Sequence, residues 1–118
     1  SNAGAPRFEF DTSWPKPLPA GWITGQLPCV YVDHRDHVLI VNRGNITDEE
    51  RETCIQAPPV MIFDQAGNMI DAWGEWNVMP STPHSCAVDH DNNVWISANG
   101  DGMVQKYTYD GKLFCKRH

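Results

Sequence analysis

Two side chains of this 118-residue chain stand in settings that favour binding chemistry, His84 and Arg43. His84 follows Pro83, whose fixed φ favours an extended entry into a strand, and there the imidazole can ligate a metal. The alternative for His84 is a histidine that is only hydrogen-bonded at the end of a sheet. Arg43 precedes Gly44, and its guanidinium can hold a carboxylate through paired hydrogen bonds. The alternative for Arg43 is a surface ion pair with the acidic segment Thr47-Asp48-Glu49-Glu50.

The cysteines and the remaining histidines carry weaker signals. The four cysteines form no Cys-x-x-Cys motif, so neither a zinc ribbon nor a thioredoxin-like site is predicted. Cys29 and Cys86 fall at matching places on neighbouring predicted strands, where they either pair or serve as small core residues. Cys54 is the cysteine that we expect to bond with another segment. Three histidines in predicted turns are expected to face solvent: His34, His37 and His90.

Composition excludes several classes of protein. The chain has 9 Lys and Arg against 15 Asp and Glu, a net charge of −6, so a nucleic-acid or anionic-membrane partner is not expected. It has no apolar run long enough for a transmembrane helix. A hydrophobic content of 41% with five Trp indicates a folded chain. Nine Gly, nine Pro and the lack of a helical apolar stripe favour short strands joined by turns.

A weak internal repeat organises these strands. Residues 30–44 and 86–100 share the order strand, polar turn, strand, glycine, and Asp33 and Asp89 take equivalent places where each caps its turn. A further hairpin follows each copy. Four antiparallel strands in roughly 40–50 residues are typical of a β-propeller blade. We therefore predict an all-β fold with two four-stranded antiparallel units, an incomplete propeller.

The chain divides into a lead-in and two predicted blades. Residues 1–27 hold Ser1-Asn2-Ala3, typical of a cleaved expression tag, and a Pro- and Trp-rich lead-in that we expect to pack by its aromatic rings. The first blade spans 28–76 with an insertion at 45–59, where a capping-box pattern predicts a solvated helical turn. The second blade spans 77–118. Three aromatic residues are expected to be buried between strands or blades: Phe63, Trp73 and Trp95.

Three strings resemble the opening blades of peptidyl-α-hydroxyglycine α-amidating lyase, an NHL-repeat propeller family: 28–33, 41–45 and 83–97. The similarity covers roughly residues 10–118 and the first third or so of the family's domain. It implies a six-bladed propeller with a catalytic zinc and a structural calcium in its channel. Such enzymes split a hydroxyglycine-extended peptide into a peptide amide and glyoxylate.

The resemblance also implies roles for particular residues. His84 matches one of three zinc ligands, and Arg43 matches an arginine near the substrate. The main-chain carbonyls of Val30 and Cys86 match calcium ligands. The other zinc ligands and the catalytic tyrosine belong to blades that this sequence does not contain.

Two blades cannot close a ring, since a propeller has at least four. The partners we expect are therefore other copies of the same chain or the missing blades of a longer protein. Three copies would make six blades and bring three His84 side chains to one axis. The alternative is a fragment in which His84 binds nothing.

The expected function is that of a partial NHL-type propeller related to a zinc-dependent carbon–nitrogen lyase, active only if further blades or copies complete the channel. The alternatives are a non-catalytic NHL module that binds a peptide, a sugar, a small ligand or a protein, and a fragment with no function of its own. Bound zinc at His84 would favour the lyase. We expect an extracellular or periplasmic location, which suits disulfides, although no signal peptide is visible.

Overall fold

The regular structure of the chain is nearly all β-sheet in a computed structural model that describes residues 4–100 and 102–117, with side chains described as far as residue 114. The predicted tag remnant and His118 lie outside these residues. None of the described residues belongs to a helix long and apolar enough to cross a membrane. The elements are β1 Trp22–Ile23, β2 Cys29–Val32, β3 Val38–Val41, α1 Asp48–Thr53, β4 Ile55–Gln56, β5 Val60–Phe63, β6 Met69–Trp73, β7 Pro83–Val88, β8 Val94–Ala98, β9 Val104–Tyr107 and β10 Leu113–Arg117.

Eight of these strands form two antiparallel sheets of four strands each. The first sheet has the order β2-β3-β5-β6 and the second the order β7-β8-β9-β10, so each strand pairs with the next one along the chain apart from the β4 insertion. The predicted all-β class and the two four-stranded antiparallel units are confirmed.

Four hairpins, with turns at 33–37, 64–68, 89–93 and 108–112, share one turn geometry. In each, the backbone N–H of the first turn residue donates to the carbonyl of the fifth, as Asp33 N–H does to the carbonyl of His37 at 2.9 Å. The fourth residue has a positive φ, +59° at Asp36 and +66° at Asn92. The Oδ1 atoms of Asp33 and Asp89 accept backbone N–H groups of their own turns. The predicted capping role of both aspartates is confirmed, and it explains the short polar segments between the strands.

The main core lies between the two sheets. It is formed by alternate residues of β3 and β5, among them Leu39 and Ile62, packed on Val94 and Ile96 of β8. Trp73 is 9% exposed, packs on Tyr107 with ring centroids 5.0 Å apart and a tilt of 41° between the rings, and donates its indole N–H to the carbonyl of Tyr109. Its predicted burial between the sheets is therefore confirmed.

The lead-in covers the other face of the first sheet. Trp14, Leu18 and Trp22 pack on Ile40, Met61 and Phe63, and the rings of Trp14 and Phe63 lie 5.7 Å apart. The lead-in also adds β1, which pairs in parallel with β4 of the insertion. Packing of the lead-in through its aromatic rings is confirmed, as is the burial of Phe63, which is 2% exposed.

The outer face of the second sheet has no such cover among the described residues. Because Val94 and Ile96 point into the core, Trp95 between them points outward and is 37% exposed. The prediction that Trp95 is buried is wrong, since the alternation of a strand places neighbouring side chains on opposite faces.

The insertion folds as predicted around its capping box. Thr47 Oγ1 accepts the backbone N–H of Glu50 at 3.1 Å, and Glu50 Oε1 accepts the N–H of Thr47 at 2.9 Å. α1 has no buried residue, so its acidic cluster is solvated as expected. Cys54, at its end, is a free thiol, and the expectation that it bonds with another segment is wrong for the described side chains.

Candidate functional site at the inner edge

The four residues for which the sequence analysis gives a site role lie along one border of the molecule: Val30, Arg43, His84 and Cys86. We call this border the inner edge, and it consists of β2, β7 and the segment 42–45. β2 and β7 are the end strands of their sheets and lie against each other. A disulfide between Cys29 and Cys86 joins them, with Cα atoms 6.0 Å apart. Of the two possibilities open for these cysteines, the structure shows the pair. The bond fixes the two sheets relative to each other where the candidate site lies.

The guanidinium of Arg43 is held by neutral groups. Its Nε donates to the carbonyl of Pro83 at 2.9 Å, and its Nη1 donates to Oε1 of Gln26 at 3.0 Å. Among the described residues, no carboxylate lies within ion-pair distance of it, so the ion pair with the acidic insertion is not formed. Arg43 is half-buried, and its Nη2 has no acceptor in the described part of the chain. The side chain is oriented while its charge is not neutralised.

The backbone around Arg43 is fixed by groups that the sequence analysis missed. Asn42 is fully buried, and its Oδ1 accepts the N–H groups of Gly25 and Gly44 at 2.8 and 2.9 Å. Gly44 has φ +70°, and a Cβ there would meet the Trp76 ring and the Gln56 amide at less than 3.0 Å. Only glycine fits this position, because both the backbone angle and the space exclude a side chain. The Arg-Gly pair thus has a structural reason as well as a chemical one.

His84 lies next to the carbonyl that Arg43 binds. Its side chain is exposed, and it has no hydrogen-bond partner among the described residues. The hydrogen bond of the alternative interpretation is not formed with any described residue. Arg43 and His84, far apart in sequence, meet on one edge because β3 ends beside the start of β7.

The residues present supply only part of a metal site. No group of three or more His, Cys, Asp or Glu side chains within the described ranges is arranged to hold a metal ion. His84 offers one nitrogen, whereas a catalytic zinc needs about three protein ligands. The Cys86 sulfur is in the disulfide, so Cys86 and Val30 can offer only main-chain carbonyls. Calcium takes about six to eight oxygen ligands, and two carbonyls do not make that set.

A groove of about 330 Å³ lies at the far end of the same two strands. His34 and His90 are exposed there, as the sequence predicts. Asp89, also in the groove, uses both carboxylate oxygens internally, Oδ2 accepting the indole N–H of Trp95 at 2.8 Å. The pKa of Asp89 lies below its ordinary value, mainly because of that hydrogen bond. The groove is lined by Tyr31, His34, Val88, Asp89 and His90.

A polar network beside the groove joins the two sheets. The Asp33 side chain is inaccessible to solvent, and its Oδ2 accepts the hydroxyl proton of Tyr109 at 2.7 Å. Nδ1 of His37 lies 3.3 Å from the same hydroxyl, and Arg35 lies over the Tyr109 ring at 4.4 Å. His37 is half-buried, so the expectation that it faces solvent is wrong: the ring packs on Tyr109 across the sheet interface. No local pattern in the sequence links Asp33 with Tyr109.

The charges of this network depend on those contacts. Burial raises the pKa of Asp33, but hydrogen bonds from Tyr109 and from the N–H groups of His37 and Arg35 outweigh it, and the pKa lies below its usual value. Burial and the hydrogen bond to Asp33 raise the pKa of Tyr109 to about 12. Asp33 is therefore a buried anion that accepts the hydroxyl proton of a neutral Tyr109, with Nη2 of Arg35 3.9 Å from the same carboxylate oxygen.

The chain matches no family model and no curated protein.

Proposed function

We propose that the chain is a two-sheet section of a β-propeller whose inner edge binds the carboxylate end of a small peptide. The observation that carries this proposal is the state of Arg43, which is oriented by the Pro83 carbonyl and the Gln26 amide yet paired with no acid among the described residues. A guanidinium left in this state attracts an anionic ligand, because charge-assisted hydrogen bonds to a carboxylate are stronger than those to neutral groups. The two repeated four-stranded sheets support the propeller.

The class of peptide follows from His84, which lies near Arg43, and from the resemblance to the amidating lyase. A hydroxyglycine-extended peptide ends in a carboxylate, which suits Arg43, and carries a hydroxyl that a metal could polarise. In this proposal, the exposed imidazole of His84 gives one bond to such a metal. Since this chain holds only part of the ligand set, we derive no zinc or calcium step from it. Cleavage is proposed only for an assembly in which other copies or further blades complete the channel.

A second candidate is a non-catalytic propeller module that binds a peptide and releases it unchanged. The groove between the turns of β2 and β7, with no arranged group of three metal ligands in the described part of the chain, favours this candidate. Both candidates suit an extracellular or periplasmic protein, because the Cys29–Cys86 disulfide persists in oxidising compartments.

Calorimetric titration tests the carboxylate site. The probes are a short peptide ending in hydroxyglycine and the same peptide ending in an uncharged amide. We expect only the acid to bind, and Arg43→Gln to weaken it by about tenfold or more, the usual worth of a charged hydrogen bond. Arg51→Gln, an exposed arginine of α1, is the matched control and should leave binding unchanged. Equal binding of both peptides, or none, would refute the proposal.

Glyoxylate release separates the two candidates. With added zinc, release that disappears in His84→Ala would identify the lyase. Peptide binding without release, at any zinc concentration and in an assembly that completes the channel, would identify the binding module.

A further inference from the structure

Trp76 lies beside the proposed carboxylate site and belongs to neither of the two hydrophobic clusters that the described residues form. The end of its ring contacts Gly44, where an added Cβ would lie 2.5 Å from Cη2 and 2.7 Å from Cζ3. The residue is 37% exposed, so this contact leaves much of the indole open to solvent. Because Gly44 directly follows Arg43, the exposed ring lies one residue along the chain from the oriented arginine.

The connection between β6 and β7, residues 74–82, holds Trp76 in place. The backbone N–H groups of Val78 and Met79 both donate to the carbonyl of Glu75 at 3.0 Å, which closes a turn that includes Trp76. Met79 is buried in the core between the two sheets and anchors this turn. The exposed ring is therefore carried by a backbone that is fixed from within the molecule.

This connection and the first residue of β7 contact the segment 42–45 at two points. Trp76 contacts Gly44, and the carbonyl of Pro83 accepts the Nε proton of Arg43 at 2.9 Å. The Gln56 amide holds Gly44 as well, because its Nε2 donates to the Gly44 carbonyl at 3.0 Å. The exposed ring and the guanidinium thus both lie where the connection meets the segment 42–45.

The indole N–H of Trp76 is a donor without an acceptor in the described part of the chain. The indole N–H groups of Trp14, Trp73 and Trp95, by contrast, each donate to an oxygen of the protein. In Trp76 the atoms that contact Gly44 belong to the six-membered ring, and the N–H belongs to the five-membered ring. The N–H therefore lies on the part of the indole away from this contact, where it can donate to a carbonyl of a bound peptide.

A peptide held by its C-terminal carboxylate at Arg43 brings its preceding residue within reach of this ring. Consecutive Cα atoms are about 3.8 Å apart, so the residue before hydroxyglycine begins about as far from the bound end as Gly44 does from Arg43. An indole contacts an aromatic side chain more favourably than a small one, because ring pairs add to the gain from burial. The surroundings of Arg43 thus favour an aromatic residue at this position of the peptide.

We propose that Trp76 selects the residue that precedes the C-terminal hydroxyglycine, by packing on an aromatic side chain there. This inference rests on the proposed carboxylate site at Arg43 and adds to it the class of the preceding residue.

Calorimetric titration with two peptides tests this role. Both peptides end in hydroxyglycine and differ only in the residue before it, which is phenylalanine in one and alanine in the other. We expect the parent chain to bind the phenylalanine peptide about tenfold more tightly, because its ring is partly buried on the indole. Trp76→Ala should remove this preference while the alanine peptide binds as it does to the parent. Trp76→Phe keeps an aromatic ring and should keep most of the preference.

Trp95→Ala is the matched control. Trp95 is also 37% exposed, but it lies on the outer face of the second sheet, away from the segment 42–45. Its removal should leave the affinities for both peptides unchanged. Thermal unfolding of each variant, measured before the titration, shows that it is folded at the temperature used.

Three results would overturn the inference. Equal binding of the two peptides to the parent, weakened for both by Arg43→Gln, would refute the role of Trp76 and leave the carboxylate site standing. An equal loss of affinity for both peptides in Trp76→Ala would also refute it, because the ring would then only support the backbone at Gly44. Binding of neither peptide to the parent would refute the carboxylate site and this inference with it.

Discussion

The two sheets share strand order and turn geometry but differ in how many faces they bury. In the first sheet, β5 is buried at every position, because the second sheet covers one face and the lead-in the other. In the second sheet, β8 alternates between buried Val94 and exposed Trp95. Strands buried on both faces read as continuous apolar runs, and strands buried on one face alternate. The comparison teaches that the number of covered faces, rather than the topology, sets the sequence pattern of each copy.

The two capping aspartates, Asp33 and Asp89, also differ in burial between the two sheets. Asp33 and Asp89 make the same backbone hydrogen bonds, yet Asp33 is inaccessible under Tyr109 of the other sheet. Asp89 is bound by Trp95 of its own sheet and stays near solvent. A repeated turn residue thus becomes an inter-sheet contact only in the copy that faces a neighbour.

The largest loss of stability is expected in the first sheet, which is covered on both faces. Phe63→Ala should lower the free energy of unfolding by about 3–5 kcal/mol, because it leaves a cavity between the first sheet and the lead-in. Trp95→Ala should cost less, since a ring that is 37% exposed loses less burial. Urea unfolding of the monomer at low concentration measures both. Equal losses of unfolding free energy in the two variants would contradict the proposed difference between the sheets.

Removal of the Cys29–Cys86 disulfide should cause the next largest loss of stability. Cys29→Ala combined with Cys86→Ala should lower the free energy of unfolding by about 2–4 kcal/mol, mainly because the unfolded chain is no longer cross-linked. The cysteines are 57 positions apart, which is a long loop to close. Cys54→Ala, which removes a free thiol, is the control and should change little. A double variant as stable as the parent would show that packing alone holds the sheets together.

The contrast between Asp33 and Asp89 predicts a smaller difference in the free energy of unfolding. Tyr109→Phe should cost about 1–3 kcal/mol, since it leaves a buried carboxylate oxygen of Asp33 without its donor. Trp95→Phe removes the corresponding donor of Asp89 and should cost less, because water can replace it. Denaturant midpoints of the two variants give the comparison, and a larger loss in Trp95→Phe would contradict it.

The smallest effect concerns alkaline pH. Burial raises the pKa of Tyr107 to about 12, and burial with the Asp33 hydrogen bond does the same for Tyr109, from 10.0 when unperturbed. The folded state therefore holds these protons more tightly than the unfolded state. Their contribution to stability is full below pH about 10 and declines as pH rises toward about 12. Tyr109→Phe should lose stability less steeply over that range, measured by urea unfolding, and an equally steep loss would count against the assignment.

Local patterns predicted much of this molecule. The alternation of strands with Asp- and Gly-containing turns indicates two four-stranded units, because turn chemistry and strand periodicity are properties of neighbouring residues. The capping box around Thr47 predicts α1 for the same reason. Arg43 and His84 stand out through residue type and their Gly and Pro neighbours. The location of Arg43 beside Pro83 did not follow from those local signals.

What only the tertiary structure decided involves residues distant in sequence. The pairing of Cys29 with Cys86, the cover of Phe63 by Trp14 and the bond from Tyr109 to Asp33 all depend on how the sheets and the lead-in pack. Trp95 illustrates the limit: its type predicts burial, but its face is set by the core-facing Val94 and Ile96 beside it. The sequence by itself determined the strands and their turns, and it predicted the residues that are proposed to bind a ligand. The faces that meet were decided by three-dimensional packing, because burial depends on neighbours that the local pattern does not contain.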